Sequence, residues 1–402
     1  MELSEIQPLL DRREFYYRVG RPNLRWTGQR LFCWLDGEER WLTRAINQYP
    51  PTGTVLAVTA QGKLGRLPWE VLHDGQQFLV ERTGGPVTPV RCVKQGSAKD
   101  PPAASSPLQV VFMAASPEDV KPVLDFEAEE ARILRITEEL PLKLRVEESG
   151  CVKQLSDMWR RFRENTYQVF HLSAQISTKK NEGSHPYFIT ESPTGERCDV
   201  SGRELMQSFG NRFPRLVVLS GWHTGQGADS GAVSSIAETL VKEGVQAVVC
   251  LGSKSLDSTG SLEAGDRLTE TGSSEEATTH FYKRLAEGFP IAEAVRSTYR
   301  ELLERQSPNW CLMRLYACSG GWGQLAQEPE DDFSDTEPVQ TLFLDSKNKV
   351  RVASAADFVG RRRLLQGCLH ELRSKSLFRD RTPRTRGCRE EYCSGAVSRA
   401  TK

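Results

Sequence analysis

The sequence predicts an α/β sandwich around a mostly parallel sheet, and two observations predict it. Apolar runs of strand length recur through the middle of the chain, and segments with helical spacing separate or follow them. That alternation is how parallel strands joined by crossover helices look in one dimension. Residues 108–115 (LQVVFMAA) are the first such run. Residues 125–140 (DFEAEEARILRITEEL) then space Phe126, Ile133, Ile136 and Leu140 as a buried helical face, with Glu127, Glu129 and Glu130 outside it. Strands follow at 169–175, 216–221 and 247–252, and helices at 234–243, 276–287 and 291–304. In sheets of this kind the chemistry gathers at the carboxyl ends of the strands. Residues 174–177 and 221–225 are therefore the region to inspect.

The chain has 402 residues, enough for two to three domains with a sizeable core. Its 53 Lys and Arg balance its 53 Asp and Glu, so no whole-molecule field favours nucleic acid or an anionic membrane. Hydrophobic residues are only 38% of the chain, which predicts that some segment stays unpacked. Apolar runs such as 216–219 and 247–251 fall far short of the roughly 20 residues of a membrane-crossing helix. The opening Met1-Glu-Leu-Ser-Glu-Ile-Gln is acidic and polar, without the apolar core of a secretory signal. Ten cysteines lie scattered, with no Cys-x-x-Cys pair and no Cys/His zinc spacing. They read as reduced thiols, which points to the cytoplasm, and no metal or other cofactor is expected. Residues 94–107 (KQGSAKDPPAASSP) and 327–338 (QEPEDDFSDTEP) read as linkers, one proline-rich and one acidic.

Several ordered motifs resemble one family. Leu67-Pro-Trp-Glu-Val-Leu72 followed by Asp74-Gly75 is similar to the opening motif of CHAT domains, the caspase-like and separase-like cysteine peptidases. Val169-Phe-His-Leu-Ser173 resembles the strand leading to their catalytic histidine. Leu216-Val-Val-Leu-Ser220 resembles the strand leading to their nucleophile, with the following Thr-Gly kept as Thr224-Gly225. Residues 234–249 resemble the next helix and strand. Phe281-Tyr282 and Ala292-Glu-Ala-Val-Arg296 resemble the closing helices, and residues 310–316 the last strand. The resemblance covers about residues 50–320 and implies a caspase-like three-layer sandwich. It divides the chain into an N-terminal segment, 1–49, of unspecified packing, a CHAT domain at 50–325, a linker at 326–375 and a disordered basic tail at 376–402.

The same resemblance fails where the chemistry should be. The family's Gly-His-Gly is Ala174-Gln175-Ile176 here, so Gln175 stands at the general-base position. Its Ala-Cys is Gly221-Trp222, so Trp222 stands at the nucleophile position. The mechanism needs a thiolate and a group that accepts and returns its proton. A Gln amide does not titrate near neutral pH, and an indole N–H only donates. The resemblance therefore implies a catalytically inactive relative, acting as an interaction or regulatory module in a bacterial-type signalling or defence system. Its partner would be a protein or peptide held in extended form at the sheet. The alternative is an active peptidase, cleaving a partner after a basic residue with a relocated Cys/His pair. Cys250, His171 and His223 are the candidates. Cys250, in Ala-Val-Val-Cys-Leu-Gly, has core neighbours, and His171 reads as a satisfied core histidine. His223 belongs at the rim of the site.

Two further patterns have plainer explanations. Gly225, Gly227 and Gly231 follow a strand and precede a helix, but their G-x-G-x-x-x-G spacing departs from a dinucleotide fingerprint and reads as a helix-initiating loop. Residues 158–163 (MWRRFR) mix bases with aromatics. With Leu155, they read as an amphipathic helix burying Trp159 and Phe162, not as a nucleic-acid contact. Beyond the linker, residues 341–352 alternate like a strand, and 358–369 (FVGRRRLLQGCL) resemble the segment introducing an ATPase module of the NACHT/AAA type. No phosphate-binding loop follows, and 376–402 are basic and without apolar period. The expectation is a truncated or frame-shifted relative that lost such a module.

Overall fold

The computed structural model describes residues 6, 7, 9, 23–48, 53–94, 107–117, 119–120, 130–131, 133–136, 140–162, 167–178, 185–223, 231–251, 269–307 and 310–327, without the side chains of 221–223, 231 and 269–275. Strands β1 (Thr54–Val58), β2 (Val87–Cys92), β3 (Leu108–Ala114), β4 (Leu142–Glu147), β5 (Val169–Thr178), β6 (Pro186–Glu191), β7 (Arg197–Ser201), β8 (Leu216–His223), β9 (Ala247–Leu251) and β10 (Arg314–Ala317) form one sheet. Its order is β1-β2-β10-β9-β8-β5-β3-β4. Pairing among these strands is parallel except between β9 and β10 and along the β5–β6–β7 hairpin. The near-continuous apolar runs of β3, β8 and β9, and the near-complete burial of β5, fit a sheet covered on both faces.

Alternation along the strands sends side chains to two cores. Val110, Val169, Val218 and Val249 pack against Phe281, Tyr282 and Leu285, and against Val295 and Tyr299. The first three of these partners lie on helix α7 (Thr269–Ala286) and the last two on α8 (Ile291–Glu304). On the other face Val111, Phe170, Val217 and Val248 meet Leu155 of α4 (Val152–Trp159), Leu205 of α5 (Gly202–Ser208), and Ile236 and Leu240 of α6 (Gly231–Lys242). The result is a helix–sheet–helix sandwich, with each core dominated by β-branched and aromatic side chains.

The segment before residue 50, whose packing the sequence left open, contributes two helices. Asn23 caps α1 (Leu24–Asp36) by accepting the Trp26 N–H at 2.9 Å, and α2 (Trp41–Gln48) follows. Leu31, Phe32, Leu42 and Ile46 bury themselves with Leu67, Leu72 and Leu79, and Ile6 and Leu9 join them. At Gly28 the α1 backbone lies against the Val71 carbonyl, where a Cβ would collide.

The sequence placed α6, α7, α8, β3, β5, β8 and β9 within a few residues, α7 starting seven earlier than read. It did not separate β1, β2, β4, β6 and β7. Strand β4 (LKLRVE) is an edge with Lys143 and Arg145 turned outward, so its apolar signal is thin. The helix read at 125–140 is described only at 130–131, 133–136 and 140; Ile133 and Ile136 are buried, and Leu140 is half-buried beyond the helix. Residues 95–106 of the first linker, 328–338 of the second, the strand read at 341–352, the segment 358–369 and the tail 376–402 lie outside the described residues.

Candidate active-site region

Strands β5 and β8 are adjacent and parallel, and their register pairs Ala174 with Gly221, Gln175 with Trp222 and Ile176 with His223. The two positions singled out by the sequence are therefore direct neighbours across the sheet. Beyond Ala114 the strand β3 stops, and β6 takes its place beside β5, pairing Ile189 with Gln175. The β6–β7 hairpin thus walls one side of this carboxyl-end region. Gln175 is 1% exposed, so its amide is held inside the protein and not presented to solvent.

Below Gln175 on the same strand face sits His171, which is fully buried. Its Nδ1 is 3.0 Å from the Tyr282 hydroxyl and its Nε2 is 2.7 Å from Ser220 Oγ. The Phe112 ring meets it edge-on at 5.2 Å. Burial lowers its pKa from 6.5 to about 3, so the imidazole is neutral at physiological pH. The Ser220–His171 spacing is that of a nucleophile and its base. A base that holds a proton only near pH 3 is poorly matched to catalysis at neutral pH. The trio instead satisfies three polar groups inside the core.

Cys250 pairs in register with Leu219 and with Arg314, and it packs in the core that contains Leu172 and Leu219. Leu172 follows His171 on β5, so the two lie on opposite faces of the sheet. Cys250 and His171 are separated by the sheet itself. Burial pushes the Cys250 thiol up to about 12, away from a reactive thiolate. Position 223 lies four residues beyond Leu219 along β8, about 13 Å at the rise of a strand. Cys311 is likewise buried and raised to about 12, and Cys151 and Cys318 are buried. Cys33 and Cys198 are exposed, on α1 and β7. Among the described residues no group of His, Cys, Asp and Glu could hold a metal ion.

The Leu67–Leu72 motif has a structural explanation that sequence reasoning missed. Glu70 and Arg91 form a buried two-pronged ion pair, Nε to Oε1 at 3.0 Å and Nη2 to Oε2 at 2.8 Å. Arg91 also donates to the backbone carbonyls of Gly65 and Leu67, so one side chain fastens the motif to β2. Only the apolar company of Arg91, in Val-Thr-Pro-Val-Arg-Cys, hinted at burial. Of the helix read around 158–163, α4 ends at Trp159: Leu155 and Trp159 are buried, Arg160 and Arg161 face solvent, and Phe162, expected inside, is only half-buried in the turn that follows. Residues 224–230 of the glycine loop lie outside the described residues.

No helix among the described residues is long and apolar enough to cross a membrane. A search of curated proteins finds no match to the chain. The family model described as "CHAT domain" matches residues 27–341, well over half of the chain, and includes both N-terminal helices in large part. With a caspase-like helix–sheet–helix architecture and a family match of this extent, the chain belongs to the CHAT domain family.

Proposed function

We propose that this protein is a catalytically inactive CHAT domain, serving as a protein-interaction or regulatory module in a cytoplasmic signalling or defence system of bacterial type. The observation that carries this reading is the register pair of Gln175 and Trp222 at the carboxyl ends of two adjacent parallel strands. These positions correspond to the family's base and nucleophile, and neither residue type can do that chemistry. A carboxamide cannot shuttle a proton at neutral pH, and the indole nitrogen's lone pair is tied up in the aromatic ring and not free to attack a carbonyl. Among the described residues, Cys250 and His171 do not make good the loss. Cys250 faces away from His171 across the sheet, and both groups are held in their neutral forms by burial. On this reading the carboxyl end beside the β6–β7 hairpin is where an extended peptide would be held and not cut.

A peptide electrophile carrying a basic residue beside its reactive group tests this. The natural chain should show no specific labelling at Cys250. A Gln175→His, Trp222→Cys variant should be labelled at the thiol introduced at position 222, as read by mass. Specific labelling of Cys250 in the natural chain would overturn the inactive reading and restore the relocated-pair alternative.

A further inference from the structure

A cavity of about 200 Å³ opens between the carboxyl ends of β1 and β2 and the last turns of α6. Because β2 and β10 run opposite to β8 and β9, it lies at the other end of the sheet from positions 175 and 222. Cys92 is level with Ala317, Ala247 and Leu216, six residues short of position 222 on β8, or about 20 Å. It is therefore separate from the peptidase-like region.

Its lining is rich in donors. Arg91 has five N–H groups, of which four donate to Glu70, Gly65 and Leu67. The remaining Nη1–H has no acceptor among the described residues. Trp69 also lines the cavity, is 2% exposed, and its buried Nε1–H has no acceptor. A buried donor without an acceptor costs on the order of 1–3 kcal/mol, so two in one lining are conspicuous. Val58, Ala60, Val93 and the Tyr316 ring, over which the Arg91 guanidinium sits at 5.6 Å, form the apolar part of the wall.

Charge at the cavity narrows the class of ligand. Glu70 balances Arg91, and Glu238 lies 3.5 Å from Lys242 at the mouth. With Glu70 counted behind the wall beside Arg91, Lys94, exposed just beyond β2, is the single excess cation. We propose that this cavity binds a small monocarboxylate with a compact apolar body, of the size and shape of benzoate. A carboxylate only accepts hydrogen bonds, which suits the two buried donors of Trp69 and Arg91 that lack acceptors, and its single charge matches the single excess cation. A phosphate dianion would leave its second charge beside Glu70 and Glu238, and it has no apolar body to meet the walls.

Isothermal titration of the full chain with benzoate, and with inorganic phosphate in parallel, tests the site. Saturable one-to-one benzoate binding is expected. Lys94→Glu should weaken it at least tenfold and Lys94→Arg should retain it. Ala60→Trp, which fills the cavity, should abolish it, with melting curves confirming that each variant folds. No saturable benzoate binding, or an affinity unchanged in folded Lys94→Glu or Ala60→Trp, would overturn the site. Tighter binding of phosphate than of benzoate would overturn the ligand class.

Discussion

At the scale of single residues, His171 shows how context decides a side chain's role. Its bare identity is compatible with a general base, a metal ligand or a core group. Two hydroxyl partners and complete burial make it the last. The consequence is a pH dependence of stability. Unfolded, the imidazole titrates near 6.5, and folded, near 3. Between those values the unfolded chain binds the additional proton, so the folded state loses stability as pH falls through the window, by up to about 1.4 kcal/mol per unit. Above 6.5 the contribution is complete. A His171→Gln variant should be less stable than the natural chain at pH 7.5, and the gap should narrow at pH 5. Denaturant midpoints at the two pH values measure this, and an equal gap would remove His171 as the cause. Glu70 and Arg91 teach the complementary lesson. Their spacing of 21 residues carries no signal, and only the approach of β2 to the Leu67–Leu72 turn makes them a pair.

Among the elements, β8 and β9 were the easiest to read, because strands covered on both faces carry near-continuous apolar runs, here Leu216–Leu219 and Ala247–Leu251. Strand β5, with His171, Ser173 and Gln175 buried in it, was read from its place in the pattern. The register between β5 and β8 could not be read, since either strand could slide without changing its own composition. Helix α1 presents the opposite case. It has a polar cap and a modest apolar face, and Trp26 stays 41% exposed, so its sequence alone did not announce a domain element. Its seat depends on Gly28, where the helix backbone touches the Val71 carbonyl. A Gly28→Ala change would normally favour a helix. Here the new methyl group would force α1 off the turn that carries the Leu67–Leu72 motif. The expected outcome is a loss of about 1–3 kcal/mol in chemical denaturation, and a gain in stability would refute the close contact.

For the molecule as a whole, the antiparallel junction between β9 and β10 reverses strand direction within one sheet. It sets the carboxyl ends of β5 and β8 at one edge and those of β1 and β2 at the other. The peptidase-like region and the donor-lined cavity thereby lie apart, with α6 beginning beyond the first and ending at the second. The N-terminal helices cover Leu67, Leu72, Leu79 and Val87 on the flank of this sheet. A domain cut at residue 50 would expose that patch. Residues 50–327 expressed alone should melt well below residues 1–327 or self-associate, as judged by thermal unfolding and size exclusion. Equal melting and a monomeric profile would show that the N-terminal helices are dispensable.

The sequence by itself determined the alternating α/β pattern, the family, and the identities at positions 175 and 222, because these rest on local periodicity and on ordered short motifs. Tertiary structure alone decided that those two positions are register partners, that Cys250 and His171 occupy opposite faces, and that Trp69 and Arg91 share a cavity with Lys94. The physical reason is common to all three. Which groups meet across a sheet, and which are sealed from water, depends on strand order and direction, and those follow from the sum of long-range packing and not from any one segment.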